Sequence, residues 1–336
     1  MTDARRLLIR CDAARWLGGG HVMRCLTLAA EMHRVGWDVA FAVSPETGET
    51  VPVLPKSGFR VIYLEDAADP DDCVAAAGPD WDVVLVDQYA LGPGYETELR
   101  RIASAVAIID DLMRPHDCDL LIDTTHGRIK TDYVGLVPDD AVFACGSEYA
   151  LLRPDFSDLR AESLARRDGR AAERLLISLG FTDVGAITGS ALQKILPFFP
   201  GRIDVVLGRN APSHPDVDAI MREVSRVKLH VDSAEIAYLM KDADLAIGAG
   251  GTTSWERCCL GLPTLLFTLA DNQRDNAAML SAAGAVRRVD LETLADSVRT
   301  LVADHDVRQT MTEASASICD GAGASRVRTL LEELVG

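Results

Sequence analysis

The sequence predicts an α/β protein of two doubly wound, parallel-sheet domains facing each other across a cleft. Three observations lead there. Short apolar runs alternate with helix-length amphipathic segments along the whole chain, the pattern of parallel sheets covered on both faces by helices. Residues 83–86 are apolar at every position, as a central parallel strand is. At 336 residues the chain exceeds one ordinary domain, so two domains of roughly 150 residues are expected. The boundary falls where Arg, Asp, Glu and Ala dominate residues 157–173, dividing the chain into 1–157 and 158–336.

Taken in order, the first half offers strands at 7–11, 39–43, 61–64, 83–86, 106–109, 120–122 and 142–145. A helix opens at about His21, because Val22, Cys25, Leu26, Leu28, Ala29 and Met32 recur with helical spacing. Helix-length pieces at 49–57 and 94–104 separate later strands. The second half repeats the alternation with strands at 175–178, 203–207, 228–231, 245–247 and 264–267 and a weaker one at 286–289. Residues 290–335 read as a helical tail broken at Gly321 and Gly323. Ligands of such folds bind at the carboxyl ends of the strands.

Composition narrows the function. Hydrophobic residues at 48% and charged residues at 25% are ordinary for a globular protein, and no apolar run approaches the roughly 18 residues of a membrane span. Residues 1–6 run into a strand with no signal-peptide core, so a cytoplasmic location is expected. A net charge of −17 argues against nucleic-acid or anionic-membrane partners. It leaves room for a phosphate ligand, because local donors decide such binding once salt screens the distant field. Eight cysteines without a C-x-x-C pair read as reduced, mostly buried thiols. His116 and Cys118 lack partners at metal-site spacing, so neither metal nor cofactor is expected.

The second half is organised around residues 244–276. There a strand ends in Gly248, Gly250 and Gly251, followed by Thr252, Thr253, Ser254 and a helical segment. Glycine permits a tight turn and close approach of backbone to ligand, Thr or Ser caps the helix, and free N–H groups at its first turn suit phosphate. Glu256 would repel a phosphate placed too near and is better suited to accept hydrogen bonds from sugar hydroxyls. The next strand runs into Asp271, Asn272 and Gln273, bringing a second strand end to the same place.

In the first half, Gly18-Gly19-Gly20-His21 falls at the first strand-to-helix turn. His21 is either a packing or hydrogen-bonding residue at the helix terminus or a base able to take a proton from water. Asp12, Asp87 and Asp110 are the other candidate bases at strand ends. The turn lacks the G-x-G-x-x-G of dinucleotide enzymes, and the chain lacks the G-x-S-x-G of serine hydrolases.

Taken together, these residues resemble a known family. Arg10, Asp12, Gly18, Gly20, His21 and Arg24 follow the pattern Arg-x-Asp, loop, Gly-x-Gly-His and basic helix. Asp87 with Tyr89, Asp110-Asp111, Pro115-His116, Cys118-Asp119, Asp132-Tyr133, Cys145-Gly146 and 149–153 continue it, and 248–276 resumes it. The chain is similar to the UDP-2,4-diacetamido-2,4,6-trideoxy-β-L-altropyranose hydrolases of pseudaminic acid biosynthesis, relatives of the transferase that makes lipid II. The resemblance implies two Rossmann-like domains of the glycosyltransferase-B type. It further implies His21 as the base, Tyr89 and Asn272 lining the sugar pocket beside Gln273, and Glu256 on the ribose. One departure stands out: relatives carry Gly-Gly-Thr-Asp where this chain has Gly180-Phe181-Thr182-Asp183. That substitution bears on how closely the loop approaches the diphosphate or sugar.

The reading is a metal-independent hydrolase that takes a UDP-sugar, binding it through Asp12, Gly18, Gly20, Arg24, Tyr89, Gly251, Thr252, Thr253, Ser254, Glu256, Asn272 and Gln273, with His21 catalytic. Its rivals are a glycosyltransferase using a UDP-sugar donor and a sugar-nucleotide-binding module without catalysis.

Overall fold

The computed structural model describes residues 4–14, 16–167 and 170–336. The first residues, on which the reading of the amino terminus rests, and Asp168 and Gly169 of the predicted boundary lie outside the described residues. The chain forms two compact units, Met1–Leu152 with Ala322–Gly336, and Arg153–Gly321. The first junction lies close to that read from composition. The second was not foreseen: the last helix returns to the first unit instead of completing the second.

The first unit is a seven-stranded parallel sheet, β1 (Arg6–Cys11), β2 (Asp38–Val43), β3 (Arg60–Tyr63), β4 (Trp81–Asp87), β5 (Ala103–Ile109), β6 (Leu120–Asp123) and β7 (Val142–Cys145). Their spatial order is β3-β2-β1-β4-β5-β6-β7. Successive side chains leave a strand on opposite faces. Leu7, Ile9, Val83 and Leu85 accordingly enter one buried cluster, and Leu8, Val84 and Val86 the other. Both faces are therefore core, which is why the strands read as unbroken apolar runs.

The helix Gly20–Arg34 covers one face, and the C-terminal helix Gly323–Leu334 lies beside it. Val327 and Leu331 of the C-terminal helix are fully buried in the same cluster as Val22, Cys25 and Leu28. Arg328 pairs with Glu31 at 3.1 Å. Gly323 has to be glycine, since a Cβ there would stand 2.2 Å from the Ala150 carbonyl oxygen. This packing is the physical reason the tail belongs to the first unit. Gly321 and Gly323 mark the crossing, not merely a break in a helix.

The second unit is a six-stranded parallel sheet, β8 (Arg174–Ser178), β9 (Arg202–Leu207), β10 (Val227–Val231), β11 (Leu245–Ala249), β12 (Thr264–Phe267) and β13 (Val286–Arg288), in the order β10-β9-β8-β11-β12-β13. Each sheet reverses its winding once, between β1 and β4 in the first and between β8 and β11 in the second. Such switch points open a crevice beyond the carboxyl ends of the strands.

Every predicted strand is present. Two predicted helices differ. Residues 49–57 hold only the one-turn helix Thr47–Thr50 and a 3-10 turn at Leu54–Lys56, because Pro52 and Pro55 withhold amides and obstruct the preceding turn. Residues 94–104 supply Pro93–Leu99 only, and the chain has entered β5 by Ala103. No helix among the described residues is long and apolar enough to cross a membrane.

Candidate functional site

In the first unit, Cys11 at the end of β1 is in register with Asp87 at the end of β4. The switch point therefore places the β1 loop beside a fully buried carboxylate. Gly18, with φ of 82°, takes a backbone conformation few other residues adopt. Gly19 passes so close to Val51 that a Cβ would lie 2.8 Å from its Cγ2. Gly20 then begins the helix that carries His21 and Arg24.

Three residues apart, His21 and Arg24 share a helix face, and both meet Asp87. His21 Nδ1 is 2.6 Å from Asp87 Oδ1. Arg24 donates from Nε to Oδ2 and from Nη2 to Oδ1, each at 2.6 Å. Burial alone would raise the Asp87 carboxyl, but the charges and hydrogen bonds of Arg24 and His21 outweigh it and hold the group far below the usual carboxylate range. Arg24 also donates to Asp111 at 2.9 Å, and the Tyr89 hydroxyl donates to the same carboxylate at 2.8 Å. The rings of Tyr89 and His21 meet edge to face, 4.5 Å between centroids. His21, Arg24, Tyr89, Asp87 and Asp111 thus form one connected cluster.

Asp12 has a different place. It pairs with Arg10 at 2.8 Å, accepts the Ser44 amide at 2.6 Å and accepts the Gln88 side chain at 2.7 Å. It ties the ends of three strands together. Burial would raise its carboxyl, and Arg10 with these donors lowers it on balance. Asp110 is likewise occupied, by Arg114, Tyr133 and His116. His116 Nδ1 lies 2.7 Å from Glu96. Burial pushes the Cys118 thiol well up. Among the described residues, no group of three or more His, Cys, Asp or Glu side chains is disposed to hold a metal.

In the second unit, β11 runs into the glycine turn at its switch point, with Gly248 in register with Ser178 of β8. The helix after the turn is Thr253–Cys259, preceded by Thr252. Here the structure corrects the expectation of a Thr or Ser cap, because no side chain caps this helix. The Ser254 hydroxyl donates instead to the Ala249 carbonyl at 3.3 Å, and Thr253 accepts from Arg257 at 3.0 Å. The backbone amides of Gly251, Thr252 and Thr253 are consequently left without a protein acceptor among the described residues.

The polar run after β12 braces this turn. Gln273 Oε1 accepts the amides of Gly250 at 3.3 Å and Leu269 at 3.0 Å, while Asn276 donates to the Gly250 carbonyl at 3.0 Å. The Gln273 side-chain oxygen is thus engaged by the turn. Asn272 lies in the exposed 3-10 turn Asp271–Gln273. Glu256 keeps part of its surface open. Its carboxyl is nonetheless enclosed deeply enough for burial to push it up to about 7, against the lowering influence of Arg153 and Arg257.

In the β8 loop, Gly180 has φ of 108°, and the Phe181 carbonyl accepts the Gly208 amide at 3.0 Å. Asp183 accepts both the amide and the hydroxyl of Thr188, and also the Ser213 amide. Phe181, which stands where the resemblance implied a glycine, is 44% exposed.

Sequence reasoning assigned no role to Arg257, and it noted Asn276 and Asp111 only as members of longer motifs. The i, i+4 spacing of Thr253 and Arg257 was a usable signal, since it places both on one helix face. The partners of Asn276 and Asp111 become recognisable only once the loops are folded.

Comparison with known proteins fits this architecture. Residues 216–327 match the glycosyltransferase family 28 C-terminal domain. The chain is 24% identical over 277 residues to an uncharacterised protein of Methanocaldococcus jannaschii, covering 80% of this chain and 57% of that protein. It is 24% identical over 284 residues to the UDP-2,4-diacetamido-2,4,6-trideoxy-β-L-altropyranose hydrolase of Campylobacter jejuni, covering 83% of this chain and 97% of the hydrolase. It is 25% identical over 198 residues to the spore coat polysaccharide biosynthesis protein SpsG of Bacillus subtilis, covering 56% and 58% respectively. Thus the chain spans less than two thirds of the length of the first and third of these relatives.

Among solved structures, Acinetobacter baumannii MurG shares the fold with a TM-score of 0.66 at 16% identity, covering 98% of this chain and 99% of MurG. A UDP-GlcNAc 2-epimerase from Neisseria meningitidis, solved bound to UDP-GlcNAc, gives 0.64 at 14% identity, covering 97% and 100%. The resemblance first carried by scattered motifs therefore extends along most of the chain, which is similar to the altropyranose hydrolase over 83% of its length and folds as two parallel-sheet α/β domains of the glycosyltransferase-B type.

Proposed function

We propose that this protein is an enzyme that hydrolyses a UDP-sugar at the anomeric carbon–oxygen bond, with inversion, giving UDP and the free sugar. The observation that carries the reading is the contact between His21 Nδ1 and the buried Asp87 carboxylate. A carboxylate that accepts the Nδ1 proton leaves Nε2 as the basic nitrogen. Nε2 takes a proton from water as the water oxygen bonds to the anomeric carbon. The electrons of the breaking bond leave on the diphosphate oxygen of UDP.

In this reading the unengaged amides of Gly251, Thr252 and Thr253 receive the diphosphate, supplying electrostatic stabilisation without a divalent ion. Glu256 accepts ribose hydroxyls, and Tyr89 and Arg24 contact the sugar. Similarity to the Campylobacter hydrolase supports UDP-2,4-diacetamido-2,4,6-trideoxy-β-L-altrose as the substrate. We further propose a place in nonulosonic acid synthesis in the cytoplasm.

Transfer to an acceptor is the competing reading, favoured by the match of residues 216–327 to a glycosyltransferase domain. Incubation with the UDP-sugar and no acceptor separates the two. Steady release of UDP is expected. Release that starts only when an acceptor is added would overturn hydrolysis, and binding without release would reduce the protein to a sugar-nucleotide-binding module.

A further inference from the structure

Arg257 is 2% exposed, its Nε has no hydrogen-bond partner among the described residues, and the acidic residue that influences it, Glu256, acts on it only through its charge. Buried guanidinium groups ordinarily have an anionic partner. Burial lowers Arg257 to about 10, so it remains a cation at neutral pH. Its place has been kept open by a glycine, since a Cβ on Gly248 would lie 2.5 Å from Arg257 Cζ.

The hydrogen bonds of Arg257 all go to the turn that carries the unengaged amides. Nη2 donates to the Ala249 carbonyl at 2.6 Å and to the Ser254 hydroxyl at 3.1 Å. Nη1 donates to the Thr253 hydroxyl at 3.0 Å. The two hydroxyls are then in different states. Ser254 uses its own proton to donate a hydrogen bond to the Ala249 carbonyl. Thr253 accepts from a cation, and its own proton has no acceptor among the described residues. A hydroxyl has one proton to donate, and a charged donor on its oxygen polarises that proton outward. Beside it, the Thr253 amide is also unengaged.

We propose that Arg257 is a positioning residue for a phosphate site: it fixes the Thr253 hydroxyl as an outward donor and supplies the buried positive charge that a phosphate oxygen on Thr253 balances. This rests on the reading of the protein as a UDP-sugar enzyme and adds the residue that makes its glycine turn selective for a charged diphosphate over a neutral group. It also accounts for Gly248, which yields its side-chain space to the guanidinium.

The test compares UDP with uridine, which has no phosphate, by calorimetry on the full chain. Thr253→Val is expected to weaken UDP about tenfold or more, as loss of a charge-assisted hydrogen bond does, and Thr253→Ser to restore it. Uridine affinity is expected to stay unchanged in both. Arg257→Lys, checked for folding by thermal unfolding, is expected to weaken UDP as Thr253→Val does, with the double variant little worse than either single one. Additive losses in the double variant, or equal losses for UDP and uridine, would overturn the proposal. Should Arg257→Lys fail to fold, the threonine pair still decides, because wild-type UDP affinity in Thr253→Val sinks the relay. A wild-type protein that binds neither UDP nor uridine would instead remove the nucleotide reading beneath it.

Discussion

His21 Nδ1 and Asp87 Oδ1 lie 2.6 Å apart where β1 and β4 end side by side, and Arg24 grips the same carboxylate from the next turn of the helix. The pair therefore depends on two features at once, the helix spacing of residues 21 and 24 and the adjacency of two strands far apart in sequence.

His21→Asn is expected to lose about 10²–10⁴-fold in turnover, the contribution of a positioned base, while UDP-sugar binding is retained. Reaction in heavy-oxygen water should label the sugar. Label in the UDP would mean attack at phosphorus and would refute displacement at the anomeric carbon.

Asp87→Asn should also lower turnover by about 10²-fold or more, because the amide no longer fixes which ring nitrogen carries the proton. Asp87→Ala should cost roughly 3–5 kcal/mol of stability, since it removes one partner of a buried ion pair. Denaturant unfolding at constant m would measure this. Asp87→Ala unfolding like the native chain would show that Arg24 is compensated by Asp111 alone.

The course of the strands could be read from the sequence because each is an apolar run bounded by turn residues, and both glycine turns could be placed at strand ends. The Asp87 contact was less accessible: Asp87 stood among the candidate bases, but its role as the partner of His21 follows from β4 lying next to β1, a tertiary fact. Asp12 was misleading for the same reason. It resembles a free acid at a strand end until the fold brings Arg10, Ser44 and Gln88 around it. Arg257 looked like an ordinary helical residue because the space it fills is defined by a missing side chain on Gly248, on a neighbouring strand.

Glu256 should leave a signature in the pH dependence of both stability and binding. Its carboxyl is raised by burial from 4.5 to about 7. Between those values the unfolded chain has lost this proton and the folded chain keeps it, so the group's contribution to stability falls as pH rises through that window. Glu256→Gln should consequently melt higher than wild type above pH 7 and gain nothing below about 4.5. UDP affinity of the wild type should rise as pH passes 7 and the carboxylate forms, and Glu256→Ala should weaken UDP about ten- to a hundredfold. UDP affinity unchanged in Glu256→Ala would exclude the ribose contact.

Activity should survive a strong chelator, since the glycine turn offers unengaged amides and has no acidic cluster beside it among the described residues. Abolition by the chelator with recovery on added Mg²⁺ would contradict this.

Leu331→Ala should cost about 2–5 kcal/mol, as truncation of a fully buried leucine does, and the loss should be confined to the first unit. Hydrogen exchange would then speed up in β1 and β4 while β11 and β12 keep their protection. Equal loosening of both sheets would show that the two units unfold together.

The return of Gly323–Leu334 to the first unit makes the second unit an insertion within the first as the chain is read. During synthesis, the sheet holding His21 waits for the covering helix Gly323–Leu334 until residue 334 has emerged, while Arg153–Gly321 is complete before that helix exists. The amino-terminal domain begins first but closes last, reversing the usual order of domain completion on the ribosome. A ribosome stalled before residue 323 would therefore carry a finished second sheet and a first sheet with one apolar face partly bare, and that nascent chain, rather than the mature protein, is where a chaperone would be needed.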